Sequence, residues 1–243
     1  MPVSMEARQA RLRQRLPTVS ALAGLTGTAV LALGSLITAL AYSGRKGEPY
    51  SLLNHFVSEL GEVGVSELAW LSNGTLFVGG LCLTVFLLGL AAYMRAGWFS
   101  ILFGLVGLVT GVSGALVGIF PMNNLVPHAR VAMMFFNMGL VATLLFSLYV
   151  LFSRQRRFPK WMLAPGLLAT AFFVAFLFYP QPATSGSIDI GEATRQLMAN
   201  RPAVWPMAIL EWGVLISILV WALVVSLYLR AEHRAQPSER RQK

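Results

Sequence analysis

The chain has 243 residues, 56% of them hydrophobic and only 12% charged. Soluble domains carry roughly 25% charged residues, so this composition excludes an ordinary water-soluble globular protein. The net charge of +9 is divided among four separate segments rather than gathered on one face, which argues against a nucleic-acid-binding protein.

Six apolar stretches predict six membrane-spanning helices. A helix rises about 1.5 Å per residue, so about 20 apolar residues cross a hydrocarbon core about 30 Å thick. The predicted fold is therefore all-α: a polytopic bundle of six transmembrane helices in one domain at residues 19–229, between basic tails at residues 1–18 and 230–243. The predicted spans are Val19–Tyr42, Trp70–Tyr93, Trp98–Phe120, Ala129–Phe152, Trp161–Tyr179 and Met207–Leu229.

The basic residues predict the orientation of the bundle. When alternate connecting segments are assigned to opposite sides, one side receives both tails and 14 of the 19 Lys and Arg residues. Positive residues near span ends are retained in the cytoplasm. We therefore expect both termini in the cytoplasm and the bundle in the cell's inner membrane, with membrane lipids as partners.

The first span has a second interpretation. A basic segment precedes it, and Ala39-Leu40-Ala41 resembles a signal-peptidase site. A signal peptide usually has an apolar region of about 7–15 residues, and this run is longer, which favours a retained helix. Cleavage after Ala41 would leave five spans.

The segment Tyr50–Leu68 predicts an interfacial helix before span two. Its apolar residues recur at a helical spacing, and the segment is too short and too polar to be a further span. These residues are Leu52, Leu53, Phe56, Val57 and Leu60.

Span three is rich in glycine, which predicts close helix packing near the centre of the bundle. In lipid, small residues let helix backbones approach each other. The glycines are Gly104, Gly107, Gly111, Gly114 and Gly118.

The longest outer connection runs from Pro180 to Pro206. Within it, Ile188–Met198 is compatible with a short helix that covers the bundle like a lid. A linker without fixed structure is the alternative.

Polar side chains near the spans lie at the outer end. Asn73 begins span two, Asn137 lies about two turns into span four, and Glu211 lies one turn into span six. Such groups usually face the interior of a bundle. We expect them to form a pocket beneath the outer surface, with these ligand-binding residues: His55, Ser58, Glu59, Asn73, His128, Arg130, Asn137 and Glu211.

Glu211 is expected to point inward, because an unpaired charge in hydrocarbon costs several kcal/mol. Arg130 is the partner that we favour, since a guanidinium keeps a buried carboxylate ionised. In the alternative, Glu211 lies in the headgroup zone and pairs with Arg201 or Arg130. Asn73 can instead cap a helix or bridge two spans, and His128 can be an exposed interfacial residue.

The sequence predicts no cofactor and no metal site. His55 and Glu59 are four residues apart, a spacing that permits metal binding, but one such pair is weak evidence for zinc. No HExxH, GxSxG, Walker or CxxC pattern is present.

Several short motifs carry a family resemblance. The chain reads Asn-His-Phe-Val-Ser-Glu-Leu-Gly from Asn54 to Gly61, and Gly79-Gly80 follows in span two. Ser72-Asn73-Gly74 stands at the start of span two, Phe120-Pro121 ends span three, and His128 opens span four. With these motifs the chain resembles the domain-of-unknown-function 998 family of six-span bacterial and archaeal membrane proteins. That family has S-[DE]-L-G before span two, F-N-x-G at its start, F-P at the end of span three and a histidine opening span four. In this chain Ser72 replaces the aromatic residue of the F-N-x-G motif.

The resemblance covers residues 19–229 and implies a six-span architecture with an outer pocket, but no established reaction. We therefore keep three hypotheses. The first is a protein that binds a lipid or another amphiphile in the outer pocket, with a membrane-protein partner or a second copy as a further possibility. The second is an intramembrane enzyme acting on a lipid headgroup or ester, with Glu59 or Glu211 as base and His128 as acid or electrophile. The third is a small-solute or proton-coupled transporter.

Overall fold

The computed structural model describes residues 5–155, 157–180, 198 and 200–240 of the chain. It confirms the all-α fold, with six helices that are long and apolar enough to cross a membrane. Two 3-10 helices, Val57–Gly61 and Lys160–Met162, accompany them. The α-helices of the described residues are α1 (Met5–Leu40), α2 (Ala69–Met94), α3 (Trp98–Ile119), α4 (Leu125–Phe152), α5 (Leu163–Leu177) and α6 (Pro206–Arg240).

The six helices form a closed ring. Each helix packs against the next one along the chain, and α1 packs against α6 to complete the circle. Short connections, such as the turn at Arg95–Gly97, make successive helices antiparallel. The ring therefore has a terminal face, from which α1 starts and at which α6 ends, and an opposite face, which we call the cap face.

Glycines set the distance between α2 and α3. A Cβ atom on Gly80 would lie 2.2 Å from the backbone N of Ala115, and one on Gly111 would lie 2.6 Å from the Cα of Thr84. Close packing by the α3 glycines is thus present as expected. However, α3 is one member of the ring, between α2 and α4, and not its centre.

The segment before α2 differs from the helix predicted over Tyr50–Leu68. Only Val57–Gly61 is helical, and turns and irregular backbone form the remainder. Gly64 has φ 84°, a left-handed conformation that stops a right-handed helix, and Leu52 and Leu53 are half exposed. Residues 41–68, which we call the cap, fold over the end of the ring.

Aromatic side chains fill the terminal face. The ring of Phe158, in the α4–α5 connection, is 4% exposed. Among the helices themselves, Trp221 packs edge-on against Phe86 and Phe146. The aromatic rings around Phe158 belong to Tyr93, Phe146, Tyr149 and Tyr228.

The predicted lid at Ile188–Met198 lies outside the described residues except for Met198, which is buried. Further along the chain, the Trp205 N–H donates to the Leu53 carbonyl at 2.7 Å. This bond joins the connection before α6 to the cap.

Candidate functional site

A buried ion pair holds the cap to the chain before α6. The Arg201 guanidinium donates to both oxygens of Glu59, at 2.7 and 3.2 Å, and also to the Asn54 carbonyl at 3.1 Å. The Glu59 side chain is 1% exposed and that of Arg201 is 14% exposed. Burial alone would lower the pKa of Arg201, but the hydrogen bonds and charge of Glu59 outweigh it and raise this pKa. Glu59 is therefore occupied by a structural contact.

Asn73 ties the cap to α2. Its amide Nδ2 donates to the Gly61 carbonyl at 2.9 Å. A Cβ atom at position 61 would lie 2.2 Å from Asn73 Oδ1, so only glycine permits this approach. The Ser-Glu-Leu-Gly motif and the Asn-Gly motif are thus two halves of one contact, which joins the cap to α2 and does not bridge two spans.

His55 is enclosed by aromatic side chains. Its ring lies 5.4 Å from that of Tyr42 and 5.0 Å from that of Tyr50, and the Trp212 indole N–H donates to the Tyr50 hydroxyl at 2.9 Å. Burial is the main cause that lowers the pKa of His55. The imidazole is therefore neutral, with Nδ1 accepting from the Ser51 N–H at 3.2 Å. These contacts assign His55 to the core of the cap.

Two further polar contacts secure the rim of the cap. Arg45 forms an ion pair with Glu62, whose pKa is raised because burial outweighs the effect of the arginine. The Asn123 side chain, in the α3–α4 connection, bonds both the N–H and the carbonyl of Val63, at 2.7 and 2.8 Å. The cap is thus attached to the α3–α4 connection as well as to α2 and to the chain before α6.

A cavity of about 110 Å³ lies inside the ring, beneath the cap. Its walls are almost entirely apolar and include small residues of α1, such as Gly24 and Gly27, which face α6 and α2. Val57 and Ser58 of the cap form its upper end, and Phe86 is among the residues at its deeper part. The cavity therefore has an apolar interior and a polar end at the cap face.

Glu211 lies at the polar end of the cavity. It faces the inside of the ring, which is the orientation that its depth in the span predicts, and its Oε2 accepts from the Val57 N–H at 2.7 Å. The Ser58 backbone lies beside the same carboxylate. Glu211 thus satisfies a free N–H at the start of the 3-10 helix and keeps a side exposed to the cavity.

His128 and Ser58 complete this polar end. His128 is 8% exposed, and its Nδ1 lies 2.8 Å from the Phe120 carbonyl. A carbonyl can only accept, so Nδ1 carries a proton, and in the neutral imidazole the other nitrogen, Nε2, is an acceptor. The Ser58 hydroxyl donates to the Met122 sulfur at 3.7 Å. His128 is therefore buried against the cavity and is not the exposed interfacial residue of the alternative interpretation.

Two of the predicted residues do not reach the pocket. Arg130 and Asn137 are both exposed on the outer side of α4, and Asn137 bonds the Met133 carbonyl of its own helix at 2.7 Å. The predicted pair between Arg130 and Glu211 is wrong: within the described residues Glu211 has no ion pair with a basic side chain. The reason is helix geometry, because nine residues turn Asn137 about 180° away from His128.

Some residues of the site were missed in the sequence. Trp212, Tyr50 and Tyr42 form the wall around His55, although Trp212 directly follows Glu211 and could have been assigned with it. Asn123 could have been proposed as a contact to another loop, because an asparagine amide both donates and accepts hydrogen bonds. The small residues of α1 recur at helical spacing from Ala23 to Gly27. This is the same signal of close helix packing that the glycines of span three give.

The described residues contain no group of three His, Cys, Asp or Glu side chains that could hold a metal ion. His55 and Glu59, the pair weighed for zinc, point to different partners: His55 towards Ser51 and Glu59 towards Arg201.

The comparisons with known proteins agree with this architecture. The model of one protein family, described as a protein of unknown function (DUF998), matches residues 30–228, which is most of the chain and includes all the motifs of the cap. No curated protein and no solved structure matches the chain. The protein is therefore a multi-pass membrane protein that belongs to the DUF998 family.

Proposed function

We propose that the protein binds a membrane amphiphile, with one alkyl chain in the cavity and the headgroup at the polar end below the cap. The observation that carries the proposal is the cavity itself: an apolar interior ending in Glu211, His128 and Ser58. Ligand sites commonly combine apolar walls with a few polar groups that fix orientation.

The size of the cavity restricts the ligand. Pockets for drug-sized molecules are about 300–1,000 Å³, and an engineered apolar cavity of about 150 Å³ holds benzene. A space of about 110 Å³ accepts part of one alkyl chain and not a whole two-chain lipid. The remainder of the ligand would extend beyond the cavity.

The described contacts give less support to catalysis or transport. The carboxylate of Glu59, one proposed base, is bound by Arg201. No hydrogen bond of the described residues joins Ser58, His128 and Glu211 through their side chains, as a nucleophile and its base would be joined. The polar groups also lie at one end of the cavity and not near the middle of the spans, where transporter sites are usually found.

Filling the cavity should remove the ligand. Ala132 of α4 lines the cavity, whereas Ala129 is exposed on the outside of the same helix. We expect Ala132→Phe to lower the amphiphile that co-purifies per protein at least about tenfold, since a loss of 1.4 kcal/mol in binding is tenfold in affinity. Ala129→Phe should leave it unchanged. Mass spectrometry of extracts from the purified proteins measures this.

The smaller change Ala132→Leu serves if the phenylalanine variant does not fold. Equal amounts of amphiphile in all variants, or none in the parent protein, would contradict the proposal.

We also propose that both termini are cytoplasmic and that the cap face lies on the outer side of the cell's inner membrane. The reason is that most basic residues lie at the terminal face. In a Cys82→Ser background, Asn124→Cys should react with an impermeant thiol reagent on intact cells, because Asn124 is exposed at the cap face. Gln155→Cys, exposed at the terminal face, should react only after lysis. The reverse pattern would overturn this orientation.

A further inference from the structure

Glu211 is a partly buried acid of the cavity wall, and among the described residues it has no basic partner. Of the acids at the cap face, Glu59 is paired with Arg201 and Glu62 with Arg45. For Glu211 the described residues supply only backbone donors, namely the Val57 N–H and the neighbouring Ser58 backbone. A buried carboxylate is costly unless a positive charge or a proton accompanies it. A ligand in the cavity is in position to supply that charge.

The other polar groups at this end also favour a hydrogen-bond donor. His128 offers the lone pair of Nε2, because its Nδ1–H is directed at Phe120. The Ser58 oxygen has lone pairs left after its contact with Met122. Together with Glu211, these groups match a headgroup that donates several hydrogen bonds.

A negatively charged headgroup would meet acceptor groups and a carboxylate at this end of the cavity, and not the positive charge that it needs. No arginine or lysine is among the described residues that line the cavity. Arg201 is bound to Glu59, and Arg130 is exposed outside the ring. Phosphate groups in proteins are normally bound by arginine, lysine or rows of backbone N–H groups. The Val57 N–H and the Ser58 backbone, at this end of the cavity, already face Glu211.

We propose that the polar end of the cavity binds an amine headgroup: the ammonium of a single-chain amphiphile pairs with the Glu211 carboxylate and donates to His128 Nε2 and Ser58 Oγ. An ammonium has three N–H donors, which equals the number of acceptor groups. This inference rests on the proposed function and adds the chemical class of the ligand.

The test compares three probes with the same alkyl chain: octylamine, octanol and octyl phosphate. Each is titrated at neutral pH into the purified protein in dodecyl maltoside, and the shift in the melting temperature gives the affinity. We expect octylamine to bind at least about tenfold more tightly than octyl phosphate, which corresponds to 1.4 kcal/mol. Octanol should lie between them.

Two variants locate the preference. Glu211→Gln should reduce octylamine binding to the level of octanol. Glu67→Gln removes an exposed acid of the cap that does not line the cavity, and it should retain the preference of the parent. If Glu211→Gln does not fold, the order of the three probes on the unmodified protein still decides the question.

The outcomes separate this inference from the proposed function. If octyl phosphate binds as tightly as octylamine, or if Glu211→Gln keeps the preference, the amine site is refuted while amphiphile binding remains. If none of the probes binds and Ala132→Phe changes nothing, both proposals fail.

Discussion

Replacing Arg201 with alanine is expected to destabilise the protein by about 3–5 kcal/mol, the usual cost of removing one partner from a buried ion pair. Among the described residues, the change leaves the Glu59 carboxylate, 1% exposed, with one hydrogen-bond donor, the Phe56 N–H at 2.8 Å. It also removes the hydrogen bond to the Asn54 carbonyl. In thermal unfolding in detergent, the melting temperature should fall by about 6 °C or more, since 1 kcal/mol corresponds to about 2–4 °C at this chain length.

Arg130→Ala is the matched control, because Arg130 is exposed and forms none of the hydrogen bonds or ion pairs found among the described residues. Its effect should stay within about 0.5 kcal/mol. The double variant Glu59→Gln with Arg201→Gln should be more stable than Arg201→Ala, since no unpaired charge remains. If Arg201→Ala and Arg130→Ala unfold at the same temperature, the ion pair does not stabilise the cap.

The membrane-spanning architecture could be predicted because it depends on one simple quantity, the length of each apolar run. The spans Trp98–Phe120 and Trp161–Tyr179, for example, match helices that end at Ile119 and Leu177. In hydrocarbon the backbone must satisfy its own hydrogen bonds, so an apolar run of that length has no alternative to a helix.

The cap could not be predicted in the same way, because the contacts that attach it to the ring reach distant parts of the chain. The Val57 N–H bonds Glu211, 154 residues away, and the Glu59 carboxylate bonds Arg201, 142 residues away. The apolar residues of this segment recur at a helical spacing, yet the segment folds as a loop because these distant contacts hold it. Contacts at such separations are decided by the tertiary structure and leave little local signal.

Arg130 and Asn137 were placed in the pocket for a different reason. Their depth along the helix was suitable, but their position around the helix axis was not taken into account. Both residues have suitable depth along α4, but rotation places them away from His128. Because His128 was itself a candidate, the phase of the helix could have excluded Asn137 from the same pocket without a structure.

The glycine contact between α2 and α3 gives the second large expected effect. Gly80→Ala places a methyl group 2.2 Å from the Ala115 backbone N and 2.6 Å from its Cα, and neither atom can move without shifting the helix. Overpacking of this kind costs about 1–3 kcal/mol and occasionally more. Because Gly80 also lines the cavity, separation of the two helices would deform the proposed site. The yield of folded monomer and the melting temperature measure the effect.

Gly74→Ala provides the comparison within the same helix. A Cβ atom at position 74 meets nothing within 4 Å, and alanine is favoured over glycine in a helix by about 1 kcal/mol. This variant should be as stable as the parent or more stable. Both substitutions add one methyl group to α2 and gain the same helix propensity, so the difference between them reports the approach of α3. If Gly80→Ala is as stable as Gly74→Ala, the two helices are further apart at Ala115 than the structure places them.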